Sequence, residues 1–379
     1  MYWVAVFWIA LLGVMFSYFI YPLTLLILPK NRARGRVLHD AGLPSVSLII
    51  TAYNESARIR GKLDNALALD YPADRFEVIV ASDMSTDDTD DIVTTYADLG
   101  VRLVGAEQRL GKEYAQSLAI QAARGDILVF SDVATNMPAD SVRRLAANFA
   151  DPGIGAVSSE DRFVSADGSL VGEGAYVKYE MWLRGLESRV NSLVGLSGSF
   201  FAARREVCGE WDIHVPSDFS TALNCVRMGL VAVSDPAVLG YYQDVKDPQR
   251  EYQRKLRTII RGLAGLWHRR EVLNPFRFGL FAFQVWGHKV MRWLVPWFML
   301  LLYGGACVLL GEGWVYQAVF GAETIFFLLV IAATLLPSLR ARLLFKIPFY
   351  FAQVNLAIAH ATVLFLLGRR ITVWQPSQR

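Results

Sequence analysis

The sequence predicts an α/β protein whose mainly parallel sheet lies between apolar helices at the two ends of the chain. Three observations carry this. Strand-like apolar runs alternate with helical stretches from about residue 40 to 250, residues 2–29 hold no charged side chain, and uncharged runs return after residue 290. With 379 residues, 54% of them hydrophobic, and a mean hydropathy of +0.31, the chain is long enough for two domains and too apolar for a purely soluble protein.

The first segment, residues 1–30, reads as a transmembrane helix. Its uncharged stretch exceeds the roughly 20 residues that cross a bilayer core, and the ~7–15 residues of a cleavable leader's apolar region. No basic region precedes it, and Lys30, Arg32, Arg34 and Arg36 follow it. By the positive-inside rule those cations hold the following chain in the cytoplasm, at a bacterial inner membrane, with the N-terminus outside.

Residues 40–250 form the expected soluble domain. Strands are predicted near 46–52, 76–82, 101–105, 126–132 and 154–159, and helices near 56–69, 88–99, 112–124 and 139–150. Strands spaced by helices argue for right-handed crossovers in a parallel sheet, with ligands beyond the strands' carboxyl ends. The strand at 76–82 runs into Asp83, Ser85, Thr86, Asp87 and Asp88, and the strand at 126–132 ends on Asp132. Two such ends make one polar rim.

The chain then returns to the membrane. Residues 251–290 mix cations with Trp267, Trp286 and several Phe residues, as helices lying in the interface do. Within 291–368, the runs 293–311 and 313–339 read as two spans joined at Gly311-Glu312-Gly313. The run 347–368 is long enough to cross, but its basic flanks favour an interfacial or re-entrant helix. Residues 369–379 are a cytoplasmic tail. Glu323, inside a span, is a functional candidate by cost alone, or pairs with a cation near the headgroups.

Composition excludes several classes. The net charge of +3 is small, and the cations cluster beside apolar segments, which suits anionic lipid headgroups and not nucleic acid. Cys208, Cys225 and Cys307 have no metal spacing and read as small hydrophobes; His288 and His360 lack a second ligand and read as structural. No phosphate-binding P-loop, dinucleotide fingerprint or internal repeat occurs.

The motifs SLIITAYNES (47–56), LDYPADRFEVIVASDMSTDDT (69–89), RLGKEYA (109–115), VFSDVAT (129–135), PSDF (216–219), RKLR (254–257) and VWQPSQR (373–379) fall in one order along the chain. Together they resemble the membrane-embedded family 2 glycosyltransferases, inverting enzymes of GT-A fold that include the cellulose, chitin and hyaluronan synthases. The resemblance implies a Rossmann-like, mixed but mainly parallel cytoplasmic sheet domain. It also implies a nucleotide-sugar donor, UDP-linked.

Residue types and resemblance together give the expected roles. Thr51, Ala52, Tyr53, Glu55 and Asp83 face the nucleotide, since carboxylates accept from imide and hydroxyl donors. Asp87 suits a helix cap better than Asp83 does. Lys112, after Gly111 at a helix start, faces the diphosphate; an exposed surface lysine is the bland alternative. Ser131 and Asp132 hold the sugar nucleotide, and Asp132 is the expected ligand of Mg²⁺ or Mn²⁺. The second acid of the family's Asp-x-Asp signature is Ala134 here, which leaves Glu160 or Asp161 as further candidates.

Asp218 matches the general base that takes the acceptor hydroxyl's proton, the neighbouring acid of many relatives being Ser217. The alternative is a helix cap at Ser217 or Asp218 for a helix starting at Phe219. Arg254 and Arg257 align with a Gln-x-x-Arg-Trp region over the diphosphate, with Thr258 in the tryptophan's place. Tyr179, Trp182, Gly198, Ser199 and Trp374 fall on the acceptor side, with core packing the default for Tyr179 and Trp182. The chain thus reads as a transferase adding a sugar to a lipid-linked or membrane-associated glycan in exopolysaccharide assembly, alongside other assembly proteins. A processive synthase is the first alternative and a catalytically silent scaffold of an assembly complex the second.

Overall fold

The computed structural model describes residues 1–30, 42–164, 175–243 and 248–371. Two compact units emerge: a helical unit of residues 1–27, 247–263 and 283–370, and a sheet unit of residues 28–246, 264–282 and 371–379.

The sheet unit is built on seven strands: β1 (Val46–Ala52), β2 (Phe76–Ser82), β3 (Val101–Gly105), β4 (Ile127–Asp132), β5 (Ile154–Val164), β6 (Phe200–Arg204) and β7 (Val231–Gln243). Their order is β3-β2-β1-β4-β6-β5-β7. β1, β2, β3 and β4 run parallel, β5 and β7 run parallel to each other, and β6 lies antiparallel between β4 and β5. The sheet is therefore mixed and mainly parallel.

β1 is buried along its whole length, as a strand covered on both faces requires. Leu48, Ile50, Val78, Val80 and Val129 point to one face, where they meet Leu63, Val142 and Phe149. Their neighbours Ile49, Ile79, Leu128 and Phe130 point to the other, against Ala115 and Ala119. On that second face Phe130 stacks between Phe201 and Trp211, at centroid distances of 4.8 and 4.9 Å. Truncating so buried a ring costs about 3–5 kcal/mol. In the register Thr51 lies opposite Asp132 and Ala52 opposite Ser82, so the carboxyl ends of β1, β2 and β4 share one rim.

In the helical unit, the N-terminal helix Tyr2–Ile27 carries a π turn at Phe16–Ile20, and the helix Pro275–Val308 carries another at Trp286–Val290. Gly287 meets the ring of Tyr21 so closely that a Cβ would sit 2.3 Å from it. Further along, Phe7 and Ala10 bury against Leu302 and Ala306. The helices Trp314–Leu335 and Leu343–Leu366 complete the unit, with Phe326 edge-on to Phe351 at 6.0 Å. These four helices are long and apolar enough to cross a membrane. Even the shortest, of 22 residues, spans about 33 Å against a hydrocarbon core of roughly 30 Å.

Candidate active site

The rim begins at Asp83, one residue past β2. Its backbone N–H donates to the Ala52 carbonyl at 2.9 Å, which ties it to the end of β1. Its side chain is fully buried, and Oδ1 accepts the Gly111 N–H at 3.0 Å. Oδ2 is buried and has no hydrogen-bond partner among the described residues. Burial pushes this carboxyl up, against the pull of the Gly111 N–H and the Arg109 guanidinium. Gly111 has φ +106°, a left-handed conformation that turns its N–H toward Asp83 as the chain enters the helix Lys112–Ala122. Arg109 lies 3.8 Å from the centroid of Tyr53.

Lys112 leaves that helix start and reaches across the rim. Its Nζ donates to Asp132 Oδ1 at 2.5 Å and to the Gly198 carbonyl at 2.8 Å. Burial of this side chain rules out the exposed surface lysine. The turn after β4 is tied to the same loop: the Asp132 N–H and the Thr135 hydroxyl both donate to the Ser199 carbonyl, at 3.0 and 3.1 Å.

Behind this turn lies Lys62, a residue no sequence motif singles out. Its Nζ donates to Ser131 Oγ and to the Thr135 carbonyl, each at 2.7 Å. Burial pushes its ammonium down to about 7, while Asp132 pulls the other way.

Asp218 lies in the first turn of the helix Ser217–Arg227. The alternative of a cap at Ser217 or Asp218 does not hold: the helix starts two residues earlier than Phe219, and Pro216, which has no side-chain acceptor, is the N-cap. The carboxylate is free to face the loop at Gly198, where a Cβ would sit 3.1 Å from Asp218 Oδ2. Gly198 thus holds Lys112 by its carbonyl and borders Asp218 by its α-carbon, so Asp132, Lys112 and Asp218 form one continuous constellation. Glu113, which lies in RLGKEYA without an assigned role, accepts the Ser217 N–H at 3.4 Å from the neighbouring helix.

The other expected residues fall in different places. Thr51 turns inward, accepting from Gln116 Nε2 at 3.1 Å. Glu55 is buried, pairs with Arg58 at 2.6 Å, and has its carboxyl raised by burial. Asp87 accepts the Thr89 and Ser56 N–H groups, each at 3.1 Å, and so ties two loops, while the N-cap of the helix Thr89–Thr94 is Asp88. Trp182 is 42% exposed and lies against Tyr179 at 5.8 Å, which corrects the default of core packing for Trp182. Glu160 pairs with Arg162 at 3.2 Å and Asp161 accepts from Ser197 at 2.6 Å. Arg254 and Arg257 lie on the helix Pro248–His268, within the helical unit. Trp374 lies outside the described residues.

The donor set sets a limit on any cation. Ala134 offers no oxygen donor from its side chain, and Asp132 Oδ1 already contacts Lys112. Among the described residues no group of three or more His, Cys, Asp or Glu side chains could cage a metal. Asp132 fits only an ion of the kind that keeps water and phosphate oxygens as most of its ligands.

Residues 47–211 match the family described as Glycosyl transferase family 2. Among curated relatives, a β-monoglucosyldiacylglycerol synthase of Synechocystis is 37% identical over 118 residues, 30% of this chain and 25% of that protein. A poly-β-1,6-N-acetyl-D-glucosamine synthase of Staphylococcus aureus is 28% identical over 179 residues, 45% of this chain and 42% of that protein. The chain therefore spans less than half the length of either. A solved mannosyltransferase from Pyrobaculum calidifontis, in complex with GDP-Man and Mn²⁺, superposes with a TM-score of 0.72 at 22% identity, covering 97% of this chain and 99% of that one. The fold is GT-A.

Proposed function

We propose that this chain, which belongs to the family 2 glycosyltransferases through its domain at residues 47–211, moves a sugar from a UDP-linked donor to a hydroxyl of a lipid-linked or membrane-associated glycan, with inversion at the anomeric carbon. The observation that carries the proposal is the contact chain from Asp132 through Lys112 and Gly198 to Asp218. It sets a cation for the leaving diphosphate and a carboxylate for the incoming hydroxyl on one loop.

In this reading Asp218 accepts the hydroxyl's proton as the oxygen attacks the anomeric carbon, which needs one base on the face opposite the leaving group. Lys112 and the N-terminal N–H groups of its helix stabilise the charge that grows on the departing diphosphate. Asp83 presents one unbonded carboxylate oxygen, which suits the single imide N–H of uracil. Ser131 and Asp132 orient the donor; a Mg²⁺ or Mn²⁺ ion held by Asp132 would neutralise phosphate charge when bound. Ser199, Tyr179 and Trp182 lie on the acceptor side, with the catalytic domain on the cytoplasmic face of the membrane.

The processive alternative has support in the Staphylococcus aureus relative, a poly-β-1,6-N-acetyl-D-glucosamine synthase. Thr258 at the position of the family's shelf-forming tryptophan favours single addition. A test incubates the full chain in detergent with nucleotide sugars and membrane lipid extract, with and without Mn²⁺, following nucleotide release and product size. One discrete lipid-linked product is expected, and a ladder of long products would refute single transfer. Asp218→Asn should abolish turnover and spare nucleotide binding; retained turnover would remove Asp218 from its role.

A further inference from the structure

We propose that Glu113 is a positioning residue for the transfer: its buried carboxylate stands at the N-terminus of the helix carrying Asp218 and joins that helix to the one carrying Lys112. The inference rests on the transferase reading above. It concerns a residue of the RLGKEYA motif that has been given no role of its own.

Glu113 is only 2% exposed, and a carboxylate so buried is costly unless its environment holds it. Two of its contacts bear on the site. Its backbone carbonyl accepts Trp211 Nε1–H at 3.0 Å, and Trp211 stacks on Phe130 of β4, so the helix start is fixed against the sheet. Its Oε1 lies 3.4 Å from the Ser217 N–H, a long hydrogen bond in which attraction between the charge and the helix N-terminus carries more than direction does.

The helix at Ser217 needs such a partner. Pro216 is its N-cap and no side chain of the helix's own start caps it. At position 217, where the resemblance puts an acid, this chain has serine, and Glu113 brings a carboxylate to that serine's N–H from a different helix. The same charge acts on Asp83, whose carboxyl it helps to push up. One side chain therefore couples electrostatically to the nucleotide end of the rim and anchors the helix of the base. Lys112 precedes it directly, so the cation on the leaving-group side and the anchor of the base share two successive residues of one helix turn.

The test uses the full chain with Glu113→Ala, Glu113→Gln and the double variant Glu113→Ala with Ser217→Glu. Loss of the charge should lower kcat about tenfold, the rate equivalent of a partly buried charge at a helix terminus, with donor KM and nucleotide Kd within about twofold. Glu113→Gln keeps an acceptor oxygen without the charge and should fall between Glu113→Ala and the parent. Ser217→Glu in the Glu113→Ala background should restore most of the lost kcat. A merely structural role would lower Tm and the folded fraction while leaving kcat per folded molecule intact, and that result would overturn the inference. So would a double variant no faster than Glu113→Ala alone. Nucleotide binding without turnover in the parent chain would instead overturn the transferase reading, and this inference with it.

Discussion

Adding one methyl group at Gly198 tests the site geometry most directly. A Cβ there would lie 3.1 Å from Asp218 Oδ2 and 3.5 Å from its Cγ, where ordinary contact starts at 3.4 Å. The backbone accepts alanine, because Gly198 does not have a positive φ. The Asp218 carboxylate must therefore give by about 0.3 Å or rotate off its preferred rotamer, at roughly 0.5–1.5 kcal/mol. A misplacement of about 1 Å costs roughly 10²-fold in rate, so a shift of about 0.3 Å should lower kcat about fourfold, equivalent to ~0.8 kcal/mol. The Lys112 contact uses the Gly198 carbonyl and survives, so nucleotide affinity should be unchanged. The assay is initial-rate nucleotide release by Gly198→Ala, paired with calorimetric nucleotide binding and a melting curve. A kcat equal to the parent's, with Tm unchanged, would show that the position of Asp218 does not govern the reaction.

Two further outcomes follow from the same contacts. Lys112→Met removes the ammonium from Asp132 and from the leaving diphosphate and should lower kcat/KM by about 10²–10³-fold, read by nucleotide release; a loss below about threefold would remove Lys112 from the donor site. Lys62→Met should change how stability depends on pH. With its folded value lowered from 10.5 to about 7, Lys62 binds a proton in the unfolded chain that the folded chain lacks throughout that window. Folded stability therefore rises with pH there, by up to ~1.4 kcal/mol per unit from this residue. Melting curves of parent and Lys62→Met between about pH 7 and 10 should diverge by that slope, and parallel curves would refute the assignment.

Much of this architecture was legible because the carrier signals are local. β1 to β5 are runs of Val, Ile, Leu and Phe bounded by turns, and Asp83 and Asp132 declare themselves by ending such runs. β6 escaped because Phe200–Arg204 follows a glycine-rich loop with no periodicity of its own, and β7 because Pro236 and Gly240 interrupt it and its register against β5 breaks between Ser234 and Leu239. The helix start at Ser217 was misplaced because a serine and an aspartate before an apolar residue look like caps, whereas Pro216 takes that position. Lys62, and the role of Glu113 within RLGKEYA, escaped for a different reason. Each is a charged residue on an amphipathic helix, which ordinarily faces water; only the sheet behind β4 and the neighbouring helix start turn them inward.

The antiparallel strand lodged between two elements made earlier sets a demand on biosynthesis. A ribosome delivers β4 and β5 before the 35 residues that separate Val164 from Phe200 have emerged, and until then both carry an open edge of unpaired backbone groups. Open edges recruit other strands, and pairings across a long sequence separation form slowly. The nascent chain thus passes through an interval in which the edges of β4 and β5 stay open until Phe200–Arg204 closes the sheet between them.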